Sequence, residues 1–273
     1  MPLDHYRKIN RANWDSRVDS HYGSEGYGID RFVADSTFVG EVVRFDSTNV
    51  PDVTGKTLIH LQCHIGTDTL GWARLGAEVT GLDFSEKSIE AAERLSRESG
   101  TPARFVVSEL YDAAETLPEK FDVVYTGVGA ICWLPDIRGW AKVVASFLDQ
   151  DGIFYMREGH PIMWALDYER DDDELVIRYP YFEQSEPLSF SEESTYAGDG
   201  VLSSPLTYDW NHGMAEVLQA LIDAGLRIDQ VEEYDALEWE AGPVNQLGED
   251  GRFRIAKDRG RLPVMWSVLA TKT

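Results

Sequence analysis

The sequence predicts an α/β fold built on a doubly wound, mostly parallel sheet of seven strands, and three observations carry that prediction. The apolar run Leu58 to Leu61 reads as a buried strand that enters a tight turn through Gln62, Cys63, His64 and Gly66. A helix follows, with Leu70, Ala73 and Leu75 on its apolar side, and a second short strand ends in Asp83. Strand and helix patterns then keep alternating as far as residue 160, as successive parallel crossovers require. Strand, turn, helix and an acid closing the next strand form the first half of a nucleotide-binding unit. In such a unit helix-terminal amides hold the ligand and the carboxylate takes ribose hydroxyls.

The later elements follow in order. Phe84-Ser85 opens a helix with Ser85 as N-cap, Ile89, Ala92 and Leu95 on one face, and Gly100 as the stop. Arg104 to Val107 is strand three, followed by Ser108-Glu109-Leu110-Tyr111-Asp112. Strand four, Phe121 to Tyr125, leads into Thr126-Gly127-Val128-Gly129. Pro135 begins a helix with Ile137, Trp140, Val144 and Phe147 inward, and Gly152 to Met156 is strand five. Met214, Val217, Leu218, Leu221 and Ile222 recur at helical spacing up to Gly225. Leu226 to Tyr234 reads as strand six and Leu262 to Ala270 as strand seven.

The turn after strand one narrows the ligand. A dinucleotide fingerprint needs three glycines, and only Gly66 is present; no Gly-Lys-Ser/Thr follows for a P-loop. The segment resembles motif I of the class I S-adenosylmethionine-dependent methyltransferases, with Cys63 and Gly66 matching. His60 stands where that family usually has an acid, and Gln62 and His64 where it has glycines. Side chains at 62 and 64 make left-handed backbone costly, by ~1–2 kcal/mol each, so the turn either uses negative φ there or stores strain. The resemblance covers residues 50–160. It implies that S-adenosylmethionine is the cofactor and that Gly66 and its neighbours, including His60, Gln62, Cys63, His64 and Gly127, hold the methionine portion. Asp83 with Phe84 and Ser85 would hold the ribose, and Glu109-Leu110 the adenine. Methyl transfer to a small-molecule acceptor is the function expected from it. The departures at 62 and 64 leave a non-catalytic, S-adenosylmethionine-binding relative as the alternative, and the missing glycines argue against an NAD-dependent oxidoreductase.

Composition sets further bounds. With 25 Lys and Arg against 48 Asp and Glu, the net charge is −23, which disfavours nucleic acid, whose phosphates are bound by Lys and Arg. A surface rich in acids and poor in lysine suits high salt, where screening removes self-repulsion, and points to a halophilic source. No apolar run approaches the ~18 residues of a membrane span, and the start lacks the apolar core of a signal peptide, so no membrane partner is expected. Two cysteines make no disulfide framework, so a cytoplasmic, reducing location is expected. None of the six histidines pairs with cysteine at zinc-ligand spacing, and no metal is expected.

Four segments are expected: an N-terminal helical lid (1–50), the cofactor-binding core (51–160), a substrate cap inserted after strand five (161–208), and the rest of the sheet (209–273). In the lid, Asp4 to Ser20 reads as a helix and Tyr27 to Phe45 as a loop with a second helix. In the cap, Asp171 to Glu174 reads as a solvated turn, and Leu175 to Phe182 with Ser189 to Tyr196 as a hairpin. Trp14, Tyr22, Trp133 and His212 are the candidate acceptor contacts. His160, at the end of strand five, is the candidate base, with Glu158 as runner-up.

Overall fold

A computed structural model describes residues 4–167, 170, 172, 174–198, 200–239, 245–255 and 260–273. Within the expected 171–174 turn, positions 171 and 173 lie outside the described residues.

The N-terminal segment holds α1 (His5–Tyr22), α2 (Ile29–Ala34) and α3 (Glu41–Asp46). Asp4 caps α1 by accepting from the Arg7 amide, so the helix starts where a carboxylate meets unpaired N–H groups. The single helix expected between residues 27 and 45 is two short ones. Gly28, left-handed at φ 63, starts α2, and Asp35 in extended conformation ends it.

The core then runs β1 (Thr57–Leu61), α4 (Thr67–Arg74), β2 (Glu78–Asp83), α5 (Glu86–Ser99), β3 (Arg104–Val107), α6 (Ala113–Thr116), β4 (Phe121–Thr126), α7 (Ile137–Phe147) and β5 (Leu148–Gly159). Ser85 caps α5 through the Ser88 amide, and Gly100 closes it in left-handed conformation. Asp136, one residue beyond the expected Pro135, caps α7 through the Gly139 amide. β5 is longer than expected and carries Arg157, Glu158 and Gly159 within the sheet.

After β5 come α8 (Pro161–Trp164), β6 (Leu188–Ser191), β7 (Leu206–Asp209), α9 (Met214–Asp223), β8 (Leu226–Tyr234), β9 (Asn245–Leu247), β10 (Phe253–Ile255) and β11 (Met265–Lys272). The main sheet has the order β3-β2-β1-β4-β5-β11-β8. β11 is antiparallel to β5 and β8, and the other neighbouring pairs are parallel. This is the doubly wound seven-stranded sheet that the sequence predicts. Its order reverses between β1 and β4, the switch point where α/β sheets bind ligands.

Helices α7 and α9 bury one face with Trp140, Phe147, Val217 and Leu221. On the other face, Val43 and Trp72 pack over Leu58 and Val79, and α1 and α2 meet α5 through Val18, Phe32 and Leu95. The inserted hairpin differs from expectation. β6 pairs with β7, while Leu175 to Phe182 contributes only an isolated bridge from Ile177 to Leu166. A run of aliphatic and aromatic residues made 175–182 resemble a strand, yet Val176, Ile177 and Phe182 stand exposed. β7 lies along α1 instead, where Asn10 brackets the Tyr208 main chain and Asn13 donates to the Ser204 carbonyl. Among the described residues, no helix is long and apolar enough to cross a membrane.

Candidate functional site

The turn after β1 adopts the strained alternative. Gln62 (φ 60) and His64 (φ 49) are both left-handed, and Gly66 follows at φ 80. Each non-glycine residue there costs on the order of 1–2 kcal/mol, so surrounding contacts must over-determine the conformation. They do. The Gln62 amide donates to the Ala130 carbonyl at 2.9 Å, the Cys63 N–H to Leu82, and the His64 N–H to Asp83 Oδ2 at 2.9 Å. Gly66 is fixed by space: a Cβ there would lie 2.8 Å from the Ala92 side chain and 3.0 Å from Phe105.

Asp83 ends β2 with its carboxylate turned back on the turn, also accepting from the Ser85 N–H at 2.9 Å. Burial pushes its carboxyl up to about 6, against the lowering pull of the Ser85 and His64 amides. Ser85 Oγ donates to Asp15 of α1, which brings the N-terminal helix over this strand end. Glu109 accepts from the Tyr111 N–H and pairs with Arg7 Nη1 at 2.7 Å, while Leu110 is buried beside it. Phe84 lies between Asp83 and Ser85 at the head of α5.

His60 lies at the end of β1, its Nδ1 hydrogen-bonded to Thr69 Oγ1 at 2.9 Å. Burial lowers its pKa to about 3, so the ring is neutral. Its Nε2 and Gln62 Oε1 are buried without protein partners, as is Thr126 Oγ1 on the opposite face of the sheet. Gly127 closes against the His60 ring, since a Cβ would sit 3.0 Å from His60 Nε2. Cys63 is buried, and burial holds its thiol protonated.

Above the turn, α1 and the insertion build an aromatic wall. His64 Nε2 meets His21 Nδ1 at 2.8 Å, His21 Nε2 meets Thr195 Oγ1 at 2.7 Å, and His64 Nδ1 meets Ser88 Oγ at 3.1 Å. Desolvation lowers both histidines, His21 to about 3, so the pair shares one neutral hydrogen bond. Trp14 packs edge-on against His64 and Trp133, at 4.8 and 5.2 Å between ring centres, and Trp133 Nε1 donates to the Gly129 carbonyl. Tyr27 and Tyr196 share a hydroxyl contact of 2.6 Å. Tyr196 keeps 71% of its surface accessible, and its hydroxyl is raised by desolvation against the pull of the Tyr27 hydrogen bond. Asp68, in the first turn of α4, is raised to about 7, first by burial and then by Asp46.

Four expected site residues lie elsewhere. Tyr22 donates to Glu98 on the outer side of α5 and carries Arg94 on its ring, away from the cleft. His212 is buried, with Nδ1 on Glu183 and Nε2 on the Leu134 carbonyl. Glu158 accepts from the N–H groups of Gly129, Ala130, Ile131 and Gly159, which pins the loop after β4 to β5. His160 caps α8 by accepting at Nδ1 from the Ile162 N–H, and its Nε2 pairs with Glu233 at 3.0 Å. Both expected proton carriers are therefore occupied by structural partners, and the geometry corrects their placement at the acceptor.

Arg17, Asp68, Asp209 and Tyr196 are the functional candidates that sequence reasoning missed as site residues. Two of them come from distant segments that only the fold brings together. Asp68 had a local signal: an acid two residues past the turn glycine, in a helix's first turn. Among the described residues, no group of three or more His, Cys, Asp or Glu could hold a metal ion.

Residues 59–154 match the family described as "Methyltransferase domain". A ubiquinone biosynthesis O-methyltransferase of Proteus mirabilis is 34% identical over 94 residues, covering 33% of this chain and 38% of that protein. The Chromobacterium violaceum protein of the same name is 35% identical over 100 residues, covering 37% and 43%. The chain thus spans less than half the length of these curated relatives. A solved S-adenosylmethionine-dependent methyltransferase from Mesorhizobium loti superposes with TM-score 0.58 at 20% identity, over 85% of this chain and 99% of that one. The glycopeptide N-methyltransferase MtfA, complexed with S-adenosylmethionine, superposes with TM-score 0.54 at 18% identity, over 88% and 95%.

Proposed function

We propose that the chain, whose residues 59–154 match the family described as "Methyltransferase domain", moves a methyl group from S-adenosylmethionine to a small-molecule acceptor. The observation that carries this reading is the left-handed backbone at Gln62 and His64. Asp83 holds the turn in that conformation, which supports a kept cofactor site. The O-methyltransferase activity printed for the curated relatives favours turnover over the non-catalytic alternative.

The residues present fit the cofactor. The orphaned His60 Nε2, the close approach of Gly127 to it, and the orphaned Gln62 Oε1 offer polar groups at the switch point. In this reading the amides around Gly66 and the side chain of Asp68 receive the methionine portion, Asp68 facing its cationic end. Asp83 receives the ribose hydroxyls, and Leu110 with Glu109 borders the adenine. When bound, the sulfonium would supply an activated methyl carbon with a neutral thioether as the leaving group. Trp14 and Trp133 align the acceptor and exclude water, which converts an encounter into an oriented displacement. Glu158 contributes by fixing the Gly129–Ile131 backbone on which Trp133 rides.

In the same reading, residues 1–50 act as a lid and 161–208 as a cap, since α1 and Thr195 close over His64. The printed activity of the curated relatives favours oxygen as the atom methylated. The −23 charge favours a small acceptor over nucleic acid, and a salt-rich cytoplasm as the setting. Calorimetric titration with S-adenosylhomocysteine tests the function: saturable binding supports it, and no heat of binding removes it.

A further inference from the structure

Asp209, the last residue of β7, carries a buried carboxylate oxygen, and Arg17, in α1, is a buried cation. Asp209 Oδ1 is buried with no hydrogen-bond partner. Arg17 is 5% exposed; its Nε donates to Asn13 Oδ1, and no carboxylate lies within ion-pairing distance of it among the described residues. Its guanidinium lies 5.3 Å from the Trp14 ring and 5.9 Å from the Trp133 ring. β7 reaches the same place from the other side, because the Trp210 N–H donates to the Cys132 carbonyl at 2.8 Å, next to Trp133. A carboxylate and a guanidinium therefore flank the tryptophan pair beyond the end of β4 without neutralising each other. Leaving Asp209 Oδ1 without a partner is costly for a fold alone, on the order of 1–3 kcal/mol for a buried unsatisfied group.

Resting on the methyltransferase reading above, we propose that the acceptor is a hydroxyl on a planar ring, that Asp209 takes its proton, and that Arg17 holds an oxygen of the same ring. The ring lies along Trp14 and Trp133. A cationic amine in this position is repelled by Arg17, and a carboxylate by Asp209; a neutral hydroxyl satisfies both. The O–H bond breaks with its proton passing to an Asp209 carboxylate oxygen, and the electron pair stays on the ring oxygen, where Arg17 stabilises the developing charge. The proton leaves Asp209 for solvent after turnover. Burial and Glu192 push Asp209 up, to about 7, while Arg17 opposes them, so the group exchanges protons near neutrality. The Cys132 thiol, also facing Asp209, is held protonated by burial.

The test uses the full chain saturated with S-adenosylhomocysteine, and 1,2-dihydroxybenzene as the probe, with affinity measured by calorimetry from pH 5.5 to 8.5. Ionised Asp209 is the better hydrogen-bond acceptor, so the wild-type affinity rises as pH climbs through about 7. Asp209→Asn abolishes that rise and weakens binding about tenfold at pH 8, as loss of a charge-assisted bond requires. Arg17→Gln weakens binding at every pH and keeps the rise. Melting curves of both variants check folding, and the wild-type profile stands as a test without them. If the loaded wild type fails to bind the probe, or its affinity is flat with pH, the proposal is overturned. It is equally overturned if Asp209→Asn keeps the wild-type affinity and profile. Absence of S-adenosylhomocysteine binding is a separate result, which overturns the methyltransferase reading as well.

Discussion

The main-chain N–H of His64 donates to Oδ2 of Asp83 at 2.9 Å. The bond joins the turn after the first strand to the acid that ends the second. It explains how a histidine is held at φ 49, where a glycine would be at ease. The His64 ring is fixed as well, by His21, Ser88 and Trp14.

His64→Gly removes a left-handed side chain and so relieves strain of ~1–2 kcal/mol. It also deletes two hydrogen bonds and an aromatic edge contact, together worth ~2–4 kcal/mol. The net expectation is a loss of stability of about 1–2 kcal/mol in urea unfolding. A variant more stable than the wild type would show that strain outweighs the contacts.

Asp68 provides a pH-dependent prediction. Burial, then Asp46, raises its folded pKa to about 7, above the usual carboxylate range. A raised pKa means the folded protein binds the extra proton, so this contribution is present at low pH and lost as pH rises through about 7. Asp68→Asn is therefore expected to melt well above wild type at pH 8 and by a smaller margin at pH 5, since the gap closes only towards ~3.9, the free carboxylate value. Equal melting temperatures at both values would contradict the assignment. The buried histidines act in the opposite sense in both proteins. His21 and His60, lowered to about 3, withdraw stability as pH falls below ~6.5.

Asp46 and Arg157 form a buried pair, Oδ1 to Nε at 2.5 Å, with side-chain exposures of 0% and 1%. Tyr125 and Glu238 complete the cluster. Asp46→Ala leaves the guanidinium facing Glu238 alone, and a loss of about 3–5 kcal/mol is expected, as for other half-deleted buried pairs. A loss under about 1 kcal/mol in chemical denaturation would mean that water enters and solvates Arg157.

The net charge of −23 predicts salt stabilisation. Screening shortens from about 10 Å at 0.1 M salt to about 3 Å at 1 M, which removes most of the repulsion between surface carboxylates. The melting temperature is expected to rise between 0.1 and 2 M NaCl. A fall would show that ion pairs such as Arg104–Glu119 and Arg138–Asp223 outweigh the repulsion.

The sheet was legible in the sequence because each strand there is a short apolar run bounded by a turn residue or a cap. Ser85, Gly100 and Asp83 mark their boundaries within a residue. The candidate site was legible only where its proposed residues fall on those boundaries, at Gly66, Asp83 and Glu109. Leu175 to Phe182 misled because its β-branched and aromatic residues suit a strand, while the segment makes only the bridge from Ile177 to Leu166 and leaves Val176, Ile177 and Phe182 exposed. His160 misled because its position before Pro161 suits a helix cap as well as a base, and its neighbour Glu233 comes from a strand far along the chain. Arg17 and Asp209 meet only through the packing of β7 on α1, which no local pattern encodes.

The central claim is that the strained turn and Asp83 form a cofactor cradle, and calorimetry with S-adenosylhomocysteine tests it most directly. The wild type is expected to bind saturably. Asp83→Ala, which leaves two ribose hydroxyls and the His64 N–H without their acceptor, is expected to weaken binding by ~1.5–3 kcal/mol, about ten- to a hundredfold. A wild type that shows no binding, or an Asp83→Ala variant that binds as tightly as wild type, would contradict the account.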